Sequence, residues 1–120
     1  MTNQKKIAVV TGSNRGLGYA IARKLSQIGI HVVLTSRNQT DGLAVKEQLS
    51  SEGLDVNYHT LEVTSDLNVA EFVQWLREAY SRVDILVNNA GINPTTKPEE
   101  SSLLTVQLET MRSTFDIYFH

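Results

Sequence analysis

Ile7-Ala-Val-Val10 runs directly into Thr11-Gly-Ser-Asn-Arg-Gly-Leu-Gly18, and an apolar periodicity at Leu17, Ile21, Leu25 and Ile28 follows. A short, wholly apolar run suits a strand covered on both faces, and the spacing after it suits an amphipathic helix. Strand, glycine turn and helix in that order form a corner that can receive a nucleotide phosphate. The glycines have separate tasks. Gly12 lets the chain turn sharply off the strand, where φ is expected to be positive. Gly16 and Gly18 remove Cβ atoms where backbone approaches a pyrophosphate and where helix approaches sheet. The first helical turn then offers unpaired N–H groups and the positive end of the helix dipole. The spacing is Gly-x-x-x-Gly-x-Gly, which differs from the commoner Gly-x-Gly-x-x-Gly.

A second stretch, Asp84-Ile-Leu-Val-Asn-Asn-Ala-Gly91, reads as a strand that ends in a pair of amides. The two motifs together resemble the short-chain dehydrogenase/reductase family, whose cofactor turn has the first spacing and whose fourth strand ends in Asn-Asn-Ala-Gly. The resemblance runs through essentially all 120 residues and covers the front half of the family's usual domain. It implies an α/β, Rossmann-like doubly wound parallel sheet in the order 3-2-1-4, truncated after the fourth strand and the following helix. Residues 1–120 are then an NADP-binding half-domain.

The rest of the chain fits alternating strands and helices, hence a parallel sheet with right-handed crossovers. Strands are expected at 6–11, 31–36, 56–61 and 83–88, and helices at 16–28 and 41–51. Gly29 ends the first helix. Val45 and Leu49 point inward from the second, which ends near Gly53. Ser65 or Asp66 caps a third helix with Val69, Phe72, Val73, Leu76 and Ala79 inward. Residues 93–102 hold both prolines and read as a loop. Leu108, Met111, Phe115 and Phe119 form an apolar stripe on a final helix.

Composition narrows the function classes. A hydrophobic content of 41% and a charged content of 20% are ordinary for a globular chain of one domain. The net charge of −2 offers nothing to nucleic acid or to an anionic membrane surface. The absence of cysteine excludes disulfides, thiolate metal sites and cysteine nucleophiles within these residues. Met1 to Lys6 has no signal-peptide core, and no apolar stretch reaches the ~18 residues of a membrane span. A cytoplasmic location is the expectation.

In the turn, Gly12, Ser13, Asn14, Arg15, Gly16, Leu17 and Gly18 are the candidate cofactor residues. Arg37 lies just past the second strand, 19 residues after Gly18. An acid near there binds a ribose 2′-hydroxyl in this architecture, whereas an arginine accommodates a 2′-phosphate. The strand ends Thr35-Ser36-Arg37-Asn38 with no acid at its tip, which favours NADP over NAD, with Asn38 beside the site and Arg15 flanking the same phosphate. Charge-assisted hydrogen bonds of about 1.5–3 kcal/mol each would set that preference. The other reading of Arg37 is a solvated surface arginine. Glu62-Val63 stands where the family has Asp and an apolar residue against adenine, the carboxylate accepting from the amino group and the Val63 N–H donating to the ring. Glu62 reads equally as a surface acid with one methylene more than the family's residue. Of the amide pair, Asn88 ties strand to neighbouring backbone and Asn89 faces the cofactor, with Ala90 and Gly91 beside it.

The resemblance also implies a reaction that needs a tyrosine, a lysine four residues on and a serine. No tyrosine here has that spacing: Tyr19 is followed by Arg23, Tyr58 by Glu62, Tyr80 by Asp84, and Tyr118 lies two residues from His120. Tyr19 and Arg23 read as scaffold. In the family, a helix like Phe115-Asp116-Ile117 continues with an asparagine that supports a water network, where this chain has Tyr118. His31, His59 and His120 are scattered, without metal or triad spacing. No catalytic or metal residue is therefore assigned. Three functions stay open: the NADP(H)-binding portion of a carbonyl-reductase-type oxidoreductase, a non-enzymatic protein that pairs with itself or a full-length relative, and the product of a broken reading frame. Pairing is expected because strand four would be an open sheet edge and the last helix would lack a partner.

Overall fold

Chain order and apolar patterning produce a three-layer sandwich, seen in a computed structural model that describes residues 5–80, 82–89 and 117–119. The strands are β1 (Ile7–Val10), β2 (His31–Ser36), β3 (Val56–Thr60), β4 (Ile85–Val87) and β5 (Ile117–Phe119), and the helices α1 (Gly16–Gln27), α2 (Gln39–Ser51) and α3 (Asp66–Ala79). Every pairing is parallel, in the order β3-β2-β1-β4-β5. This is the expected Rossmann-like sheet, and its first four strands stand in the expected order.

Side-chain alternation along each strand feeds two cores. Val9, Val33 and Leu86 point to one face, where α3 supplies Val69, Phe72, Val73 and Leu76. Ala8, Val10, Val32, Leu34, Ile85 and Val87 point to the other, where Ala22 of α1 and Leu49 of α2 pack. The near-continuous apolar strands thus follow from helices on both sides.

Local chemistry sets the helix ends. The Asn38 side chain accepts from the Asp41 N–H at 3.0 Å, so α2 begins two residues before the expected start at 41. Ser65 caps α3 by accepting from the Asn68 N–H at 3.1 Å. Gly29 closes α1 with φ +95°, and the Gly29 and Ile30 N–H groups donate to Ser26 and Leu25 carbonyls at 3.1 Å. Gly53 (φ +83°) repeats the device after α2, with Leu54 donating to Leu49 at 3.1 Å. In both cases the paired residues are apolar and join the same core, the hydrophobic partner of a left-handed helix stop.

Four expectations need correction. Strand four is not a sheet edge, because β5 pairs with it from Ile85↔Ile117 to Val87↔Phe119. Phe119 therefore lies on a strand and not on a final helix; Leu108, Met111 and Phe115, like the loop at 93–102, lie outside the described residues. On α1, Leu17 and Ile28 are 58% and 61% exposed, and Gly18, Ala22 and Ser26 form the buried line instead. Small residues let this helix sit close to the sheet, which turns the larger residues outward. Ala79 is exposed as well, since α3 ends there and its last turn has left the core. Among the described residues, no helix is long and apolar enough to cross a membrane.

Candidate functional site

The carboxyl end of the sheet, where β1, β2 and β4 stop side by side, gathers most of the candidate residues. Thr11 extends β1, its N–H donating to the Val87 carbonyl at 3.0 Å. Gly12 then takes φ +61°, as its turn requires, and its N–H donates to Thr35 Oγ1 at 3.2 Å. Ser13 is buried and locks the turn to β2: its N–H donates to the Thr35 carbonyl at 2.9 Å, and its Oγ accepts from the Thr35 N–H at 2.9 Å. Ser13 Oγ also donates toward the Val10 carbonyl at 3.0 Å. Thr35 Oγ1 reaches that carbonyl too, at 3.1 Å. The side chain of Ser13 and the N–H groups of Thr11, Gly12 and Ser13 are thus all engaged within the scaffold, and only the backbone from Asn14 onward is left to meet a ligand.

Gly16 and Gly18 differ in what they contribute. Gly16 has φ +63°, and a Cβ there would find open space within 4 Å. A Cβ on Gly18 would stand 2.2 Å from the Gly12 carbonyl oxygen and 2.6 Å from Asn89 Nδ2. Gly18 is therefore where helix, turn and the end of β4 meet. Asn89 Nδ2 donates to the same Gly12 oxygen at 3.1 Å and holds the turn from the far side. Asn88 is fully buried, and its Oδ1 accepts from Thr11 Oγ1 at 3.3 Å, a side-chain contact, whereas the tie to neighbouring backbone expected of Asn88 is seen at Asn89.

The start of α1 stays open toward solvent. Arg15 occupies the cap position with extended backbone (φ −164°) and makes no capping hydrogen bond with its side chain. Arg15, Gly16 and Leu17 are exposed and Asn14 half-buried, so the first-turn N–H groups sit at an accessible surface. A dinucleotide pyrophosphate fits this geometry: a left-handed glycine turn, bare space before Gly16, and helix N–H groups with no acid in the first turn.

The tips of β2 and β3 carry the residues expected at an adenosine end. Arg37 is 79% exposed, and its Nε lies 3.7 Å from Glu62 Oε1. Asn38, beside it, uses its side chain to cap α2. The Val63 side chain is buried in the α3-side core. Tyr58 and Gly42 also shape this corner, although sequence reading left them unassigned. Tyr58 OH lies 2.9 Å from Ser36 Oγ and donates to the Ser36 and Asn38 carbonyls at 3.2 and 3.4 Å. It thus pins the residues either side of Arg37. A Cβ on Gly42 would stand 2.0 Å from the Tyr58 ring, which is why α2 carries glycine there. Asn68, another unassigned residue, accepts from the Glu62 N–H. A glycine inside a helix was the one available signal for this packing. Ala90 and Gly91 lie outside the described residues.

Tyr19 and Tyr80 are held elsewhere. Tyr19 OH accepts from Arg23 Nη1 at 3.1 Å and from Gln48 Nε2 at 3.3 Å, and Arg23 pairs with Glu52, joining α1 to the end of α2. Tyr80 sits at the opposite, amino end of the sheet, 2.6 Å from His31 Nε2.

Comparison with known proteins agrees with this geometry. The family model described as short chain dehydrogenase matches residues 6–120. The chain is 36% identical to carbonyl reductase [NADPH] 1 of Oryctolagus cuniculus, over 97% of this chain and 42% of that protein. It is 42% identical to short-chain dehydrogenase/reductase 1 of Saponaria officinalis, over 75% of this chain and 31% of that one. The structure of a metagenomic short-chain oxidoreductase in complex with NADP superposes with a TM-score of 0.72 at 33% identity, covering 90% of this chain and 54% of that chain. The chain therefore spans under half the length of the curated relatives named here.

Proposed function

Because the chain belongs to the short-chain dehydrogenase family, we propose that it binds NADP(H) and forms the cofactor-binding portion of a carbonyl-reductase-type oxidoreductase. The observation that supports this most directly is the junction at Gly18, where the Gly12 carbonyl and the Asn89 amide leave no room for a side chain and hold the turn open beneath an uncapped helix start. In that reading, the N–H groups at the end of the turn, from Asn14 on, and of the first α1 residues hold the pyrophosphate, those of Thr11, Gly12 and Ser13 being bonded to Val87 and Thr35. Arg37, with Arg15 nearby in the turn, takes the 2′-phosphate. Glu62 and the Val63 backbone border adenine, and Asn89 faces the cofactor, with Ala90 and Gly91, next in the sequence, as further candidates. The bound cofactor supplies or accepts a hydride. These residues bind and orient it; Tyr19, Tyr58 and Tyr80 are engaged in scaffold contacts and have no lysine four residues on, so none is assigned the proton transfer.

Calorimetry with the 120-residue chain tests the reading. NADPH is expected to bind more tightly than NADH, and Arg37→Asp is expected to weaken NADPH selectively by at least tenfold. Equal affinity for the two cofactors in the unsubstituted chain would remove the 2′-phosphate assignment. The chain alone is expected to oxidise no NADPH with aldehydes or ketones above background, since a positioned acid contributes about 10²–10⁴-fold.

Association is a second reading with narrower support. Among the described strands β5 is outermost on its side, and Ile117-Tyr118-Phe119 carries neither charge nor proline to block pairing. Sedimentation at tens of micromolar tests it: a dimer is expected, and a monodisperse monomer refutes it.

A further inference from the structure

Two candidate residues of the adenosine end touch each other. Arg37, just past β2, and Glu62, just past β3, form an ion pair at 3.7 Å across the corner that would hold the ribose. The Glu62 carboxylate is fastened from behind. Its Oε2 accepts from Thr64 Oγ1 at 2.6 Å and from the Thr64 N–H at 3.4 Å, which leaves Oε1 turned toward the guanidinium. The Glu62 N–H in turn donates to Asn68 Oδ1, and the Asn68 N–H donates to the α3 cap Ser65 at 3.1 Å. An anion is thus held by the start of a helix beside the cation assigned to a phosphate.

We propose that Glu62 is a specificity-determining residue that reduces the advantage of a 2′-phosphate over a 2′-hydroxyl; this rests on the assignment of Arg37 to that position. A phosphate arriving at Arg37 must displace the carboxylate or share the guanidinium with it, beside a like charge at short range. A 2′-hydroxyl meets neither cost, and it can donate to Glu62 as it does to an acid at the tip of β2 in NAD-preferring sites. The corner therefore presents an arginine for one cofactor and an acid for the other. The reach of glutamate is essential. With one methylene fewer the carboxylate draws back from Arg37 while its charge remains.

Adenosine 2′,5′-bisphosphate and ADP isolate this end of the cofactor, and their affinities can be measured by calorimetry on the 120-residue chain. The unsubstituted chain is expected to bind the bisphosphate more tightly than ADP. Glu62→Gln is expected to raise the ratio of bisphosphate to ADP affinity at least threefold, ADP itself weakening as the adenine contact is lost, and Glu62→Asp to give a smaller gain in that ratio. Thermal unfolding without ligand confirms that each variant folds. If the bisphosphate preference of Glu62→Gln is unchanged or reduced, the inference is overturned while the cofactor assignment stands. An equal loss for both ligands also overturns it, because Glu62 would then serve adenine alone. If the unsubstituted chain binds neither ligand, the cofactor assignment itself falls and the inference with it.

Discussion

At the scale of single residues, glycines in one turn are required for different physical reasons. Gly16 needs its φ of +63° and has open space around it, so alanine there meets a conformational cost of about 1–2 kcal/mol without collision. Gly18 has ordinary helical backbone but no room, since its nearest neighbour would be a carbonyl oxygen at 2.2 Å. Backbone must move to admit a methyl group, and overpacking of this kind costs roughly 1–3 kcal/mol. Gly18→Ala is therefore expected to lower the unfolding midpoint and to weaken NADPH at least tenfold, because the turn and Asn89 are displaced together. Calorimetry on variant that remains folded at the assay temperature checks it, and undiminished affinity would refute the role given to the junction.

Among elements, the seating of α2 on β2 and β3 decides where Arg37 stands. Alanine at an internal helix glycine ordinarily gains up to about 1 kcal/mol in propensity. At Gly42 the sign is expected to reverse, because a Cβ would enter the Tyr58 ring and crowd Ser36 Oγ at 2.6 Å. Gly42→Ala should destabilise the native chain yet stabilise a Tyr58→Ala background, where the ring is gone. Urea unfolding of the four chains measures this coupling, and equal effects in both backgrounds would show that the two residues do not meet. The cap of α3 offers an independent check. Ser65→Ala removes the acceptor for the Asn68 N–H and is expected to cost about 1 kcal/mol by the same measurement.

For the molecule as a whole, the two ends of the sheet carry different chemistry. The carboxyl end combines a glycine turn and helix start with neutral side-chain hydrogen bonds and the exposed Arg37–Glu62 pair. The amino end is a network in which Lys5 and His31 both reach Asp55 at 3.1 Å, His31 reaches Tyr80, and Asn57 donates to the Tyr80 hydroxyl at 3.2 Å. Partial burial alone would raise the Asp55 carboxyl, but hydrogen bonds from His31 and Lys5 outweigh it and hold the group below its usual 3.8. A carboxyl lowered in the folded state contributes stability that is present above 3.8 and lost as pH falls through the folded value. Acid unfolding below pH 3.8 is therefore expected to be shallower in Asp55→Asn. The effect should be small and salt-sensitive, because the side chain is half exposed. Burial raises the Tyr80 phenol above its usual 10.0, with the Asn57 hydrogen bond opposing it. Its contribution is full below pH 10 and is lost above it, so stability is expected to decline on the alkaline side, and less so in Tyr80→Phe. Urea midpoints across pH 2–12 test both arms.

The order of the first four strands comes from the family resemblance that the two motifs carry, whereas the alternation of strands and helices, both glycine helix stops and a cap at Ser65 or Asp66 are legible in the residues themselves. Those features depend on φ, on hydrogen bonds a few residues long, or on a periodicity of two or 3.6, and each is written locally. Pairing across the sheet is not local. Ile117-Tyr-Phe119 continues the helical spacing of Phe115, and only register with Ile85, Leu86 and Val87 makes it a strand. Leu17 and Leu25 look alike in a one-dimensional pattern, yet the close approach of Gly18, Ala22 and Ser26 to the sheet exposes the first and half-buries the second. Glu62 and Arg37 are 25 positions apart in the chain, and nothing in either neighbourhood announces their contact. Adjacent parallel strands bring the tips of β2 and β3 to the same corner, and that juxtaposition exists only once the sheet has formed.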